Sequence, residues 1–266
     1  MKISFVGGGV MGEAIIKRIL AKGLTMPQDI IASDISPERL SILKQSYSIE
    51  TSRNNRQAIE ASGVAVLAVK PQNLGAIMEE LRGGFQPHQL VLSIIAGATI
   101  ATITNGLGHS AVVRAMPNTP AQIGEGMTVW TASSEVSQSQ KETAQSILGA
   151  LGKEVYVPDE KFIDMATAVS GSGPAYFFLI MEALIDAAAD IGLPQEVAEE
   201  LVLNTAVGAA RLAQETGKYP KELREMVTSP GGTTEKGVLR LEQGDIRALI
   251  AQAVIAAYER AKELGS

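Results

Sequence analysis

The sequence predicts an α/β chain: a doubly wound parallel sheet over residues 1–158, followed by an all-helical segment over 159–266. Three observations predict it. Short, continuous apolar runs alternate with helical stretches as far as Val157, the pattern of parallel strands covered on both faces. The first run ends in a glycine turn spaced G-x-G-x-x-G. Beyond Val157-Pro158-Asp159 no strand pattern remains: Ala, Leu, Ile and Val recur at helical spacing from Phe162 to Leu264, broken at Gly192, Gly217, Pro220, Gly231-Gly232 and Gly244.

The opening stretch KISFVGGGVMG sets the terms for the rest. Ile3, Phe5 and Val6 form a buried strand, and the chain then turns through Gly7, Gly9 and Gly12. Gly7 permits the tight turn, Gly9 lets backbone approach a pyrophosphate, and Gly12 lets helix and strand pack closely. Val10 and Met11 open a helix running to about Lys22, whose first N–H groups face the anion. A second apolar run, Ile30 to Ser33, ends at Asp34, an acid about 20 residues on, where a ribose hydroxyl is bound in such sites. The first domain is therefore a Rossmann-type dinucleotide-binding sheet.

Ser36 caps the next helix and Pro37 takes its first turn. Asn55, before the helix leading to the third run, reads either as an adenine-ribose contact or as the cap of that helix. Val64 to Val69 is a central strand stopped by Lys70-Pro71. Val91–Ile95 stops at Ala96-Gly97, and Ala111–Ala115 stops at Met116-Pro117-Asn118. Met127–Trp130, a helix over Ser137–Ala150 and Glu154–Val157 add one further βαβ extension.

Composition narrows the function. The 266 residues are 45% hydrophobic and 20% charged, as in folded domains rather than disordered ones. A net charge of −6 and the lack of any basic run set nucleic acid aside. There is no cysteine, so disulfides and thiolate chemistry are excluded. Met1 leads directly into a strand with no room for a signal peptide, so a cytoplasmic protein is expected. Ala175 to Leu193 is the most apolar long stretch. It carries Glu182, Asp186 and Asp190 on one helical face and is read as no membrane span. The helical segment is rich in small residues such as Ala187, Ala206, Gly208 and Ala256, and its apolar surface is large for its size. A homodimer or larger assembly through these helices is expected.

Ligands of an open parallel sheet bind beyond the carboxyl ends of its strands. Gly7–Gly12, Ser33–Ser36, Ala68-Val69-Lys70-Pro71, Ala96-Gly97 and Met116–Pro120 fall there. Lys70 reads equally as a phosphate or ribose contact and as a surface lysine at the Pro71 turn. Asn118 reads as a group orienting nicotinamide or substrate, or as a turn former before Thr-Pro. His88 and His109 both precede strands, which puts them at the opposite edge as surface residues. The helical segment has no histidine, and no lysine between Lys161 and Lys218. A group able to protonate an alkoxide is thus missing, and carbonyl reduction is disfavoured. An imine demands less, because its own nitrogen carries the proton. Two hydroxyl-bearing segments qualify as weak donors. Ser170-Gly171-Ser172-Gly173-Pro174 lies at a helix start, where plain capping is an equal reading. Thr228-Ser229-Pro230-Gly231-Gly232-Thr233-Thr234 precedes a helix and offers bare backbone as an anion nest for a carboxylate.

Assembled, these segments resemble the pyrroline-5-carboxylate reductase family over essentially the whole chain: VGGGVMGEAI, LAVKPQ, SIIAG, VRAMPNTPA, GEGMT, AVSGSGPAY and VTSPGGTTEKGV. The resemblance implies reduction of 1-pyrroline-5-carboxylate to L-proline by NADPH or NADH, the last step of proline synthesis. It further implies a helical dimerisation domain, rings of dimers in some members, and an active site between the nucleotide domain of one subunit and helices of the dimer. Ser229 and the backbone of Gly231, Gly232 and Thr233 would hold the substrate carboxylate, and Thr234 the ring nitrogen. Nicotinamide would lie beside Met116, Pro117, Asn118, Ala96 and Gly97. Asn55, Ala68, Lys70 and Pro71 match cofactor-contacting positions, and no metal is implied. One departure matters: many members show an Asn-Arg-like pair after the second strand, whereas here it is Asp34-Ile35. A carboxylate at Asp34 argues for NADH, although Arg39, Ser33 and Ser36 could serve a 2′-phosphate; the preference stays open. The rival readings are a 3-hydroxy-acid dehydrogenase with a helical second domain and a nucleotide-binding regulatory protein without turnover.

Overall fold

Apolar runs too short for helices become strands, and glycine, proline and capping residues mark where each helix begins. In the computed structural model, which describes residues 1–60 and 62–265, β1 (Ile3–Val6) leads into α1 (Val10–Ala21) and β2 (Ile30–Ser33) into α2 (Pro37–Tyr47). There follow β3 (Glu50–Ser52), α3 (Asn55–Glu60), β4 (Val64–Leu67), α4 (Leu74–Leu81), β5 (Leu90–Ser93), α5 (Ile100–Leu107) and β6 (Val112–Met116). The sheet is completed by β7 (Gly126–Ala132), α6 (Gln138–Gly149) and β8 (Gly152–Tyr156). Ser36 caps where the sequence puts it, accepting from the Arg39 amide; Ser137, read only as a helix start, also forms a capping box with Gln140.

The eight strands run in the order β3-β2-β1-β4-β5-β6-β7-β8. Two features differ from the expectation of a wholly parallel sheet with the strands read above. β7 pairs antiparallel with β6, Ala115 opposite Trp130, while β7 and β8 are parallel to each other. The link over 117–125 is shorter than a parallel crossover needs, so the chain reverses. The unanticipated β3 is a three-residue edge strand, Glu-Thr-Ser, with no apolar run to betray it. Both faces of the sheet are covered: Phe5, Ile15, Ile16 and Leu92 pack on one side, Val6, Leu67, Ile103 and Leu107 on the other.

His109 is not a surface residue. It is 8% exposed, its ring tilted 34° against that of Phe85 with centroids 5.3 Å apart, and its Nε2–H donates to the Gln89 carbonyl at 2.8 Å. Burial pushes its pKa below the usual 6.5, the backbone bond opposing only in part. The site sits ahead of β6, so sequence placed it at the correct edge and missed the ring pocket, whose partners are 20 and 24 residues away.

After β8 the chain is helical: α7 (Lys161–Ala166), a π-type turn at Thr167–Gly171, α8 (Gly173–Asp190), α9 (Gln195–Thr216), α10 (Pro220–Met226), α11 (Thr233–Gln243) and α12 (Ile246–Glu263). Contacts divide the chain into two compact units, residues 1–172 with the end of α12 onward, and Gly173–Ile255. The segment following the Pro158 turn, through Ser172, belongs to the sheet unit. In the second unit α8 lies along α9, and Gly173 and Ala198 are its buried residues among those described. Lys161–Asp190 is long and apolar enough to cross a membrane by length and composition, with 11% of its window buried.

Candidate active site

The glycine turn is built as its spacing requires. Gly7 adopts φ 102°, its amide donates to Ser33 O at 2.8 Å, and a Cβ there would stand 2.7 Å from the Ala68 carbonyl oxygen. A Cβ at Gly12 would stand 2.6 Å from Gly7 O, so only glycine lets α1 approach the turn. Gly9 is different: it is exposed, and nothing lies within 4 Å of an added Cβ. It caps α1 without a side-chain bond, leaving the first N–H groups of the helix facing open space beside exposed Val10. This arrangement fits a dinucleotide pyrophosphate.

The residues expected to meet the ribose are arranged less simply. Asp34 accepts from Gly8 N at 2.7 Å through Oδ2 and from Ser36 N at 2.9 Å through Oδ1, so the carboxylate also staples its own loop. Ser33 is fully buried and donates to Phe5 O, and Arg39 is held by Gly8 O and by Glu13 at 2.5 Å. Burial raises the Glu13 pKa, but the hydrogen bonds from Arg39 and Tyr47 outweigh it and hold the carboxyl below its usual range. Asn55 is the first residue of α3, and its amide donates to Glu80 at 2.8 Å. The residue whose side chain caps that helix is Asn54, which accepts from Gln57 N. Lys70 is exposed at the start of the Pro71 turn.

At the carboxyl edge the chain does bring the predicted segments together. A cavity of about 300 Å³ is lined by Met11, Ala68, Val69, Pro71, Ala96, Met116, Pro117 and Asn118, joined by Ile94, Ile95, Thr119 and Gly171. Asn118 is fixed at both ends, donating to Ser170 O at 3.1 Å and accepting from Met127 N at 2.8 Å. Gly97 packs against the end of α12: a Cβ there would stand 2.6 Å from the Leu264 carbonyl. Nothing local in the sequence announced that contact. Ser170 does not cap a helix; its hydroxyl donates to Ala166 O inside the π-type turn, and α8 begins at Gly173.

The hydroxyl-rich loop belongs to the second unit. Gly231 turns with φ 74°, and its amide already donates to Glu235 Oε2 at 2.8 Å, while the Gly232 amide donates to Ser229 O at 3.0 Å. Two of the amides offered to a carboxylate by the sequence are therefore engaged. Those of Thr233 and Thr234 belong to the first turn of α11, ahead of its first intrahelical bonds and at the positive end of the helix. Ser229 is exposed and Thr234 half-buried, and a groove of about 280 Å³ lined by Arg224, Thr228, Glu235 and Leu239 flanks them.

Residues 160–264 match a family model described as pyrroline-5-carboxylate reductase dimerisation, and residues 2–97 one described as NADP oxidoreductase, coenzyme F420-dependent. The chain is 43% identical over 265 residues to a pyrroline-5-carboxylate reductase of Synechocystis, covering all of this chain and 98% of the relative. It is 41% identical to one of Pseudomonas aeruginosa, covering 99% and 96%. Among solved structures, a pyrroline-5-carboxylate reductase of Coxiella burnetii superposes with a TM-score of 0.90 at 42% identity, covering 100% and 98%. A Plasmodium falciparum enzyme solved with NADP bound superposes at 0.92 with 29% identity and the same coverage.

Proposed function

The chain belongs to the pyrroline-5-carboxylate reductase family, and from that premise we propose how its residues share the reaction. It is an enzyme that reduces 1-pyrroline-5-carboxylate to L-proline with a reduced pyridine nucleotide. The observation that carries the mechanism is the chemistry of the pocket wall: no residue lining it has an ionisable side chain. Reducing a carbonyl there would leave an alkoxide with no acid beside it. A protonated cyclic imine brings its own proton, and hydride added to the iminium carbon leaves a neutral secondary amine. When bound, the reduced nicotinamide supplies that hydride. The 3-hydroxy-acid reading is accordingly disfavoured.

The protein's part is orientation and charge placement. The Thr234 hydroxyl accepts from the ring N–H, and the Ser229 hydroxyl with the Thr233 and Thr234 amides holds the carboxylate. Gly231 and Gly232, their amides already engaged, shape the bend. Asn118 keeps the pocket wall in place, and Gly7, Gly9 and Gly12 seat the pyrophosphate. By function the boundary is placed at 158/159, next to the start of the dimerisation match at residue 160. Residues 1–158 are the nucleotide domain and 159–266 the dimerisation and substrate domain, although residues 159–172 pack with the sheet. The protein works in the cytoplasm as a homodimer through its C-terminal helices, with a ring of dimers as the larger form. The apolar length of Lys161–Asp190 serves subunit contact, since it lies wholly within the stretch matching the dimerisation model. Asp34, a fixed carboxylate beside the turn, favours the free 2′-hydroxyl of NADH over the phosphate of NADPH.

The test is a spectrophotometric assay of the full-length protein with 1-pyrroline-5-carboxylate and each reduced nucleotide. Turnover with both is expected, faster at low concentration with NADH. Thr234→Val lowers kcat by about 10- to 100-fold and leaves the nucleotide KM within about twofold. Nucleotide binding with no oxidation on adding the imine sinks the reading.

A further inference from the structure

Arg114 is 2% exposed on β6, yet it lies outside the pocket lining. Its Nη1 donates to Glu160 Oε1 at 2.9 Å and its Nη2 to Asp164 Oδ1 at 2.5 Å, while its Nε has no partner. Burying a guanidinium between two carboxylates is a poor device for stability alone, because the desolvation penalty rivals the attraction. What the cluster does is join three pieces of chain that form the pocket. Two residues beyond Arg114, β6 ends at Met116 in the pocket wall. Asp164 lies on α7, which runs directly into the Thr167–Gly171 turn; Ser170 O there receives the Asn118 amide, and a Cβ on Gly171 would stand 3.1 Å from Met116 Cε. Glu160 Oε1 also accepts from Ile100 N at 2.8 Å, tying in the start of α5 just after Ala96-Gly97.

We infer that Arg114 is a positioning residue: with Asp164 and Glu160 it sets the spacing between the Ala96, Met116 and Gly171 walls, and so the seat of the nicotinamide ring. It touches neither substrate nor cofactor. The inference rests on the pocket being the nicotinamide seat. The pyrophosphate turn at Gly7–Gly12 takes no part in the cluster, so the two halves of the dinucleotide should respond differently.

The experiment uses full-length Arg114→Met, Arg114→Lys and Asp164→Asn proteins. Affinities for the whole dinucleotide and for ADP-ribose, which lacks the ring, are measured by titration calorimetry alongside kcat and KM. Arg114→Met is expected to lose about 10- to 100-fold in kcat, because displacement of about 1 Å costs that much in orientation. Its affinity for the whole dinucleotide falls several-fold while ADP-ribose binding stays within about twofold. Arg114→Lys, which keeps the charge but reaches one carboxylate, recovers part of the loss, and Asp164→Asn shows a smaller version of it. A folded Arg114→Met protein with wild-type kcat overturns the inference, and so does a parallel fall in ADP-ribose and dinucleotide affinity, which marks collapse of the sheet unit. Should Arg114→Met not fold, Asp164→Asn and Glu160→Gln decide by the same affinity ratio. A wild type without turnover would instead defeat the assigned reaction, while the affinity ratio would still judge Arg114.

Discussion

The sheet unit and the helical unit draw on the same apolar residues and treat them in opposite ways. Around the sheet, Ile3, Phe5, Ile16, Val66 and Leu92 are fully buried, and helices close both faces. In Gly173–Ile255, Phe177 is 64% exposed, Leu184 53%, Leu201 52% and Val207 50%, although all four lie on the long helices α8 and α9. Ordering a residue costs about 1–2 kcal/mol of backbone entropy, which burial must offset. The first unit meets that demand within one chain and the second does not. Exposed apolar area of this size is what a subunit interface covers, and the match to the dimerisation model over 160–264 supports that reading. An amphipathic helix hides its apolar stripe; α8 leaves Phe177, Ile180 and Leu184 exposed as well as its acidic row Glu182, Asp186 and Asp190.

The largest way to break the contrast is to charge the helical unit. Leu184→Glu with Leu201→Glu should cost at least about 4 kcal/mol of association, roughly 1,000-fold, and sedimentation should show a smaller species with little activity. Ile35→Glu in the sheet unit, at a site already 82% exposed, should leave assembly unchanged. A double variant that sediments as wild type would mean the exposed helices are not subunit surface. A second, smaller effect sharpens the comparison from the other side. Ile16→Ala removes a side chain that is 0% exposed and should lower stability by about 2–5 kcal/mol. Urea unfolding should show that loss equally at low and high protein concentration, because the cavity forms within one chain. The smallest effect is a pH dependence confined to the sheet unit. His109 is held neutral by burial, its folded pKa below 6.5, so its contribution is complete above pH 6.5 and is lost as pH falls through the folded value. The melting temperature should drop on acidification below 6.5, and His109→Gln should flatten that slope; an unaltered slope would refute the assignment.

Legibility in the sequence followed the range of the interaction. Gly7, Gly9 and Gly12, the apolar strands, and the cap at Ser36 were readable because each depends on neighbours a few residues away. The pocket wall was readable as segments, since the carboxyl ends of parallel strands meet at one edge whatever their details. The cap read at Asn55 falls to Asn54, while Glu80, from α4, captures the Asn55 amide. Gly231 and Gly232 looked like free donors until Glu235 and Ser229 O were seen to hold them.

By itself, then, the sequence determined the alternation of strand and helix, the nucleotide turn, the helical second half and the family. Tertiary structure alone decided the reversal at β7, the edge strand β3, the burial of His109, the pairing of Arg114 with acids 46 and 50 residues later, and the contact of Gly97 with the end of α12. The reason is physical: a local period records which face of an element is apolar, whereas a buried charge or a close backbone contact is satisfied by groups distant in the chain, which only folding brings within reach.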